Sequence, residues 1–458
     1  MNAASSVFSP CPDKEFPMRI ISRDFQVTKC AYISYLRDLI SPKIVVDIYW
    51  LTVAQTASYI CPLLNVVFLT RALGPSAWGT LATFQALSSW FNLVLEYGFG
   101  LSGVREVAQN RHRPRTLEKI LASVLWAKLA LTSTLTVLIA CCFGSVPLLR
   151  QHPSLTLCAV AVAVGPSLTP TWFYQGLERI RAAAIIDVAG RIIGTILTVI
   201  IVRNSSQIWI ALLIPGVASF AAAVANHARL YRHYAFVLPS PRLVWHALKF
   251  GWSMFIYRSS VSLYTIGNAF ILALFVAPEY VGYYAAAERI ARYSTALLAP
   301  LSQALFPRLS FLVATNLAAA AHLAGKSFRC MVALGLILGS LTFLTAPAIT
   351  HVFLGHKFAA AVPALRILSL LPLVIAVSNF LGFHWLLPLR KDSVVNATIL
   401  FAGIINLALA VILAPHFRHC GMAWAVVTAE IIVTVILLVY LKRNRLFPTS
   451  IREVALTA

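Results

Sequence analysis

Nine ionisable side chains lie inside long apolar stretches of this chain: Lys128, Arg191, Arg258, Arg289 and Arg292 are cationic, and Glu96, Asp187, Glu288 and Glu430 are acidic. At the centre of a bilayer each would cost about 2.5 to 3.5 kcal/mol, so nine facing lipid would cost roughly 20 to 30 kcal/mol. That exceeds the net stability of a folded domain. They must therefore face one another or a wet interior. Guanidinium forks match the oxygens of a phosphate or diphosphate. A carboxylate whose neighbour moves can take up and release a proton or a sodium ion. Anion binding and cation exchange are the chemistry these residues offer.

Spacing sorts the nine. Asp187 and Arg191 are four residues apart, as are Glu288 and Arg292, so each pair can bond along one helix face and serve structure as readily as function. Arg289 and Arg258 have no such acid of their own. Arg258 stands among Ser253, Tyr257, Ser259, Ser260, Ser262 and Tyr264, a polar set that suits a wet cavity. These two are the leading anion contacts, followed by Lys128, Arg191 and Arg292. Glu96 and Glu430 lack a helical base beside them and join Glu288 and Asp187 as candidates for ion coupling. Five cations against four acids lean towards an anionic ligand and away from a drug cation.

The elements that must position these groups are membrane helices. With 59% hydrophobic and 11% charged residues, the 458-residue chain has no room for a soluble domain. Apolar stretches predict twelve spans, at 47–70, 79–101, 120–142, 154–174, 184–202, 208–226, 250–276, 280–304, 328–352, 362–388, 394–414 and 421–441. Of 37 Lys and Arg, 26 fall in the two tails and in or at the edges of alternate loops, whereas the opposite loops and their edges hold six: Arg71, Arg150, Arg203, Lys357, Arg366 and Arg418. The positive-inside rule then puts both termini in the cytoplasm. The net charge of +22 sits mostly where anionic lipids attract it, which removes the reason to invoke nucleic acid.

Residues 1–43 form a cytoplasmic tail without the apolar core of a signal peptide. The segment 16–40 has the composition of an interfacial helix and equally of a disordered tail, and Met18 is an alternative start. The eight cysteines include no metal-spaced pair. His351, His356 and Lys357 cluster near an outer loop without an acid.

The chain repeats itself. An offset of 203 residues places Pro75-x-x-x-Gly79 on Pro278-x-x-x-Gly282 and Arg105 on Arg308, and an offset of 213 places Trp172 on Trp385 and Gly190 on Gly403. The predicted fold class is thus all-α integral membrane, with twelve transmembrane helices in two six-helix bundles related by a pseudo-two-fold axis along the membrane normal. The bundles are 44–227 and 250–441, joined by a cytoplasmic linker at 228–249 and followed by a tail at 442–458. Rocking of one bundle on the other gives alternating access to a path between them.

Four stretches carry a family resemblance: Arg71-Ala-Leu-Gly-Pro75-Ser-Ala-Trp-Gly79 with Glu96-Tyr-Gly-Phe-Gly100 and Arg105-Glu106; Pro170-Thr-Trp172-Phe-Tyr-Gln-Gly-Leu-Glu178-Arg179; Gly282-Tyr-Tyr-Ala-Ala-Ala-Glu288-Arg289; and Gln303-Ala-Leu-Phe-Pro-Arg308. They resemble the bacterial polysaccharide transporters, the O-antigen and exopolysaccharide repeat-unit flippases of the multidrug/oligosaccharidyl-lipid/polysaccharide exporter superfamily. The resemblance implies a V-shaped pair of bundles in the bacterial inner membrane. They would turn an undecaprenyl-diphosphate-linked oligosaccharide to the outer leaflet, coupled to H+ or Na+ and without a metal or organic cofactor. It also implies a polysaccharide polymerase and a chain-length regulator as partners. Gly79, Gly282, Arg105, Arg308, Glu178 and Arg179 lie in the matched motifs as hinge or inner-gate candidates. The alternatives are a multidrug or peptidoglycan-precursor exporter of the same superfamily. A polyprenyl-glycan polymerase or ligase is disfavoured, because it would need a large outward loop with clustered acid, His or Arg groups.

Overall fold

The computed structural model describes residues 42–447, which are almost wholly helical and contain no strand. The tail segment 16–40 lies outside the described residues. The helices are α1 Pro42–Glu96, α2 Phe99–Gln109, α3 Pro114–Cys142, α4 Pro153–Leu168, α5 Thr171–Gly176, α6 Ile180–Ile201 and α7 Ile208–Leu230 in the N-terminal part. The C-terminal part holds α8 Pro241–Thr265, α9 Asn268–Ala273, α10 Pro278–Ala296, α11 Ala299–Thr315, α12 Leu317–Ile349, α13 Val362–Leu368, α14 Leu371–Asn379 and α15 Asp392–Arg443. Large apolar side chains such as Leu157, Ile200, Ile337 and Leu344 are exposed along them. In water such a surface would drive aggregation, whereas in a bilayer it meets lipid. The chain is a multi-pass membrane protein.

Among the described residues, eight helical stretches are long and apolar enough to cross a membrane, or nine when the pair α10 and α11, bent by 43°, is taken as one. That is fewer than the twelve spans predicted, for identifiable reasons. The 55 residues of α1 and the 52 of α15 each run through a break, at Gly74 (φ 76, ψ 175) and at Arg418 (φ 54, ψ −130). An unbroken helix of that length would run about 80 Å, against a hydrocarbon core of about 30 Å. The helix α8 carries Arg242, Lys249 and Arg258 and is not among the eight.

Other breaks fall inside predicted spans. The second predicted span stops at Glu96, where Tyr97 (φ 47) and Gly98 (φ 77) turn left-handed. The fourth is interrupted at Thr169 and Pro170, and the seventh around Ile266 and Gly267. The ninth starts earlier than its apolar run, because the Asn316 side chain accepts a hydrogen bond from the Ala319 amide at 2.9 Å and caps α12.

One buried cluster runs through both parts of the chain, with Leu69, Trp78, Leu81 and Phe84 of α1 against Leu272 of α9 and Val281, Tyr284 and Ala287 of α10. A second, around Trp385, Phe380 and Leu437, is confined to the C-terminal helices, and a third, around Trp172, Phe173 and Val107, lies mainly in the N-terminal ones. The pairing of α1 with α10 therefore holds the two parts together and frames the space between them.

Candidate functional site

On α1, Gln85, Ser88, Ser89 and Asn92 follow the i, i+3, i+4, i+7 spacing of one helix face. All four line a cavity of about 700 Å³, with α4, α6 and α7 contributing its other N-terminal walls and Arg289, Arg292 and Tyr293 projecting from α10. Its size is that of a small-molecule or headgroup site. Asn92 donates from Nδ2 to the Ala163 carbonyl at 3.1 Å, so this stripe is tied to α4.

Arg289 is half-buried and fixed on two sides. Its Nη2 donates to Gln85 Oε1 across the two parts of the chain, and its guanidinium lies 4.7 Å from the centroid of the Trp78 ring. The flat guanidinium over an indole face is a cation–π contact that a lysine would not reproduce in geometry. Arg292, one turn on, donates to Glu288 at 2.7 Å while it lines the same cavity.

Behind Arg292 a polar chain enters the C-terminal helices. Glu288 also accepts from Asn268 Nδ2 at 3.3 Å, and Asn268 Oδ1 accepts from Asn406 Nδ2 at 3.2 Å. Asn406 is fully buried, and its own Oδ1 has no hydrogen-bond partner among the described residues. Glu430 is 8% exposed and close enough to Arg292 for their charges to interact. Two carboxylates and two buried asparagines thus lead inward from the cavity-lining Arg292, where unmet polar groups are costly.

The remaining charges gather elsewhere. Lys128, on α3, is buried; it donates to the Ser167 carbonyl and, at 3.3 Å, to Glu96. The other Glu96 oxygen is 3.9 Å from Arg258 Nη1, so one carboxylate at the end of α1 sits between a lysine from α3 and an arginine from α8. Arg258 does not line the 700 Å³ cavity, and the side chains of Ser253, Tyr257, Ser260 and Tyr264 lie outside the described residues. Beside this junction Tyr97 stacks on Phe255, with centroids 4.8 Å apart. Asp187 and Arg191 form the expected pair on α6, at 2.9 Å.

Among the motif residues, Glu178 adopts a left-handed backbone (φ 55) and grips Arg111 through two hydrogen bonds of 2.7 and 3.2 Å. Those hydrogen bonds raise the pKa of Arg111. Both residues belong to the N-terminal part, so their pair stitches its loops together. Arg105, Arg179 and Arg308 are exposed and form no ion pair among the described residues. Gly79 and Gly282 meet at the crossing of α1 and α10.

Reasoning on ionisable residues alone passes over Gln85, Asn92, Trp78, Asn268 and Asn406. The spacing of Gln85, Ser88, Ser89 and Asn92 was available as a signal. Nothing in the spacing of Asn268 and Asn406, 138 residues apart, foretells their contact.

Comparison with known proteins agrees with this architecture. The chain is 28% identical over 402 residues to the "Putative O-antigen transporter" of Escherichia coli (strain K12), covering 87% of this chain and 97% of that protein. A protein of the same name from Shigella dysenteriae is 25% identical over 398 residues, covering 86% and 98%. Among solved structures, the lipid II flippase MurJ in an inward closed conformation superposes with a TM-score of 0.67 at 15% identity, over 86% of this chain and 87% of that one. An inward-facing MATE family multidrug resistance transporter gives 0.64 at 13%, over 89% and 99%. These two share the fold. Residues 44–313, more than half of the chain, match the family model described as polysaccharide biosynthesis protein, and the chain belongs to that family.

Proposed function

We propose that this protein is a flippase that carries undecaprenyl-diphosphate-linked oligosaccharide repeat units from the inner to the outer leaflet of the bacterial cytoplasmic membrane, supplying surface polysaccharide synthesis. The observation that carries the reading is the polar cavity between the N- and C-terminal helices, with Arg289 and Arg292 projecting into it from α10. A diphosphate has the charge and the oxygen geometry for such a pair. The two relatives named for O-antigen transport support the substrate class.

In this reading α1 and α15 each cross twice, turning at Gly74 and Arg418, and α8 with α9 and α10 with α11 each count as one crossing. The total is twelve, six in each bundle of 44–227 and 250–441, with both termini cytoplasmic. Alternating access then opens the cavity to each side in turn, through Arg289 and Arg292 first, with Arg258 handling the approach at the Glu96 junction that the buried Lys128 holds in place. Coupling to H+ or Na+ runs through Glu430 and Glu288. The charge of Arg292 communicates between that polar chain and the cavity, so a cation bound behind Arg292 changes the pull on an anion in front of it.

Expression in a bacterium deleted for its own repeat-unit flippase tests this. Restored surface polysaccharide, lost again with Arg289→Ala at equal protein level, is the expected result. Resistance to cationic dyes without polysaccharide would move the protein to drug export.

A further inference from the structure

Two of the six cations predicted for the outer loops, Arg71 and Lys357, come from opposite parts of the chain and line one pocket of about 600 Å³. Outward segments are depleted in Lys and Arg, so this convergence calls for a ligand. His351 and His356 line the same pocket, their rings edge to face at 4.1 Å. Among its lining residues there is no Asp or Glu, and among the described residues neither Arg71 nor Lys357 forms an ion pair. Arg71 uses Nη2 to bond the Val352 carbonyl, which leaves further N–H donors of its fork at the pocket.

We propose that this pocket is a second anion site, distinct from the central cavity, that binds a phosphate group. A phosphate offers tetrahedrally arranged acceptors that a guanidinium, an ammonium and an imidazole N–H can reach from different sides, whereas a planar carboxylate has only two oxygens to share. The site is built from Arg71 of α1 and from the segment following α12, so it is complete only while these two parts of the chain stay together. A bound phosphate therefore favours arrangements in which these two segments stay together, by its differential affinity for them. Its assignment to the outer face, and the scarcity of cations that makes the convergence notable, rest on the topology proposed above, whereas the pocket and its lining do not.

The test is equilibrium binding of radiolabelled inorganic phosphate to the full chain in phosphatidylcholine nanodiscs, in an Arg289→Gln, Arg292→Gln background that removes both arginines of the central cavity. One saturable site is expected to remain, weakened at least tenfold by Arg71→Gln with Lys357→Gln and within threefold of normal with Arg71→Lys, which keeps the charge. Binding untouched by the Arg71 and Lys357 changes, or no binding left once Arg289 and Arg292 are replaced, would overturn the proposal. Replacing a third of the lipid with phosphatidylglycerol distinguishes the sources: competition identifies a lipid headgroup, and unchanged binding a soluble phosphate compound, each consistent with the site. Loss of polysaccharide export with Arg289→Ala concerns the central cavity and leaves this result independent.

Discussion

Gly79 and Gly282 pack against each other's helix reciprocally: a Cβ on Gly79 would fall 1.7 Å from the Pro278 carbonyl oxygen, and one on Gly282 would fall 2.1 Å from that of Pro75. The repeated Pro-x-x-x-Gly motif thus meets its own copy, as residues do across a two-fold interface. No side chain can swing aside to relieve such a contact, because the obstructing atoms are backbone.

Gly79→Ala therefore forces α1 and α10 apart and should destabilise their packing by about 1 to 3 kcal/mol, as overpacking does. Gly282→Ala should do the same. The double variant should cost less than the sum of the two, since one separation relieves both clashes. Thermal unfolding in detergent, with a spin-label distance across the crossing, reads both effects. A double variant costing the full sum would show that the two glycines act independently.

The Lys128 and Glu96 pair separates structural from functional charge. Lys128 is buried and Glu96 is its carboxylate partner. Glu96→Gln leaves the ammonium uncompensated and should cost about 3 to 5 kcal/mol, while Glu96→Gln combined with Lys128→Met should recover most of that loss. Chemical denaturation of the purified variants measures it. If Glu96→Gln is as stable as the parent, Lys128 is neutralised by some other route.

Glu430 bears on coupling. Buried beside Arg292, it is expected to matter to the response to an ion gradient and little to substrate binding. Glu430→Gln should reduce gradient-driven transport to the rate seen without a gradient and leave the affinity for substrate within threefold. Transport by Glu430→Gln that still follows the imposed gradient would remove Glu430 from the coupling path.

Much of the helical framework was legible in the sequence because apolar length reports on the membrane directly. The i, i+4 pairs Asp187–Arg191 and Glu288–Arg292 were legible too, since helix geometry alone fixes such neighbours. Glu96 shows where that reasoning ends. It has no base near it in sequence, yet Lys128 and Arg258 reach it from helices 32 and 162 positions further on, a tertiary placement that no local period encodes. The break at Tyr97 and Gly98, inside a predicted span, was hidden for a related reason: a hydropathy pattern sums over residues and is blind to one backbone angle, whereas the breaks at Gly74 and Arg418 fall between predicted spans. The repeat of Pro75-x-x-x-Gly79 and Pro278-x-x-x-Gly282 was visible as identity, but only packing reveals that the two copies touch.

The most direct measurement is flipping of a labelled undecaprenyl-diphosphate oligosaccharide in proteoliposomes under an imposed proton gradient, with Arg289→Ala and Arg289→Lys beside the parent. The account predicts flipping by the parent and a loss of about tenfold or more in both variants, because the fork held by Gln85 and Trp78 is what an ammonium cannot replace. Flipping at the parental rate by Arg289→Ala would contradict it.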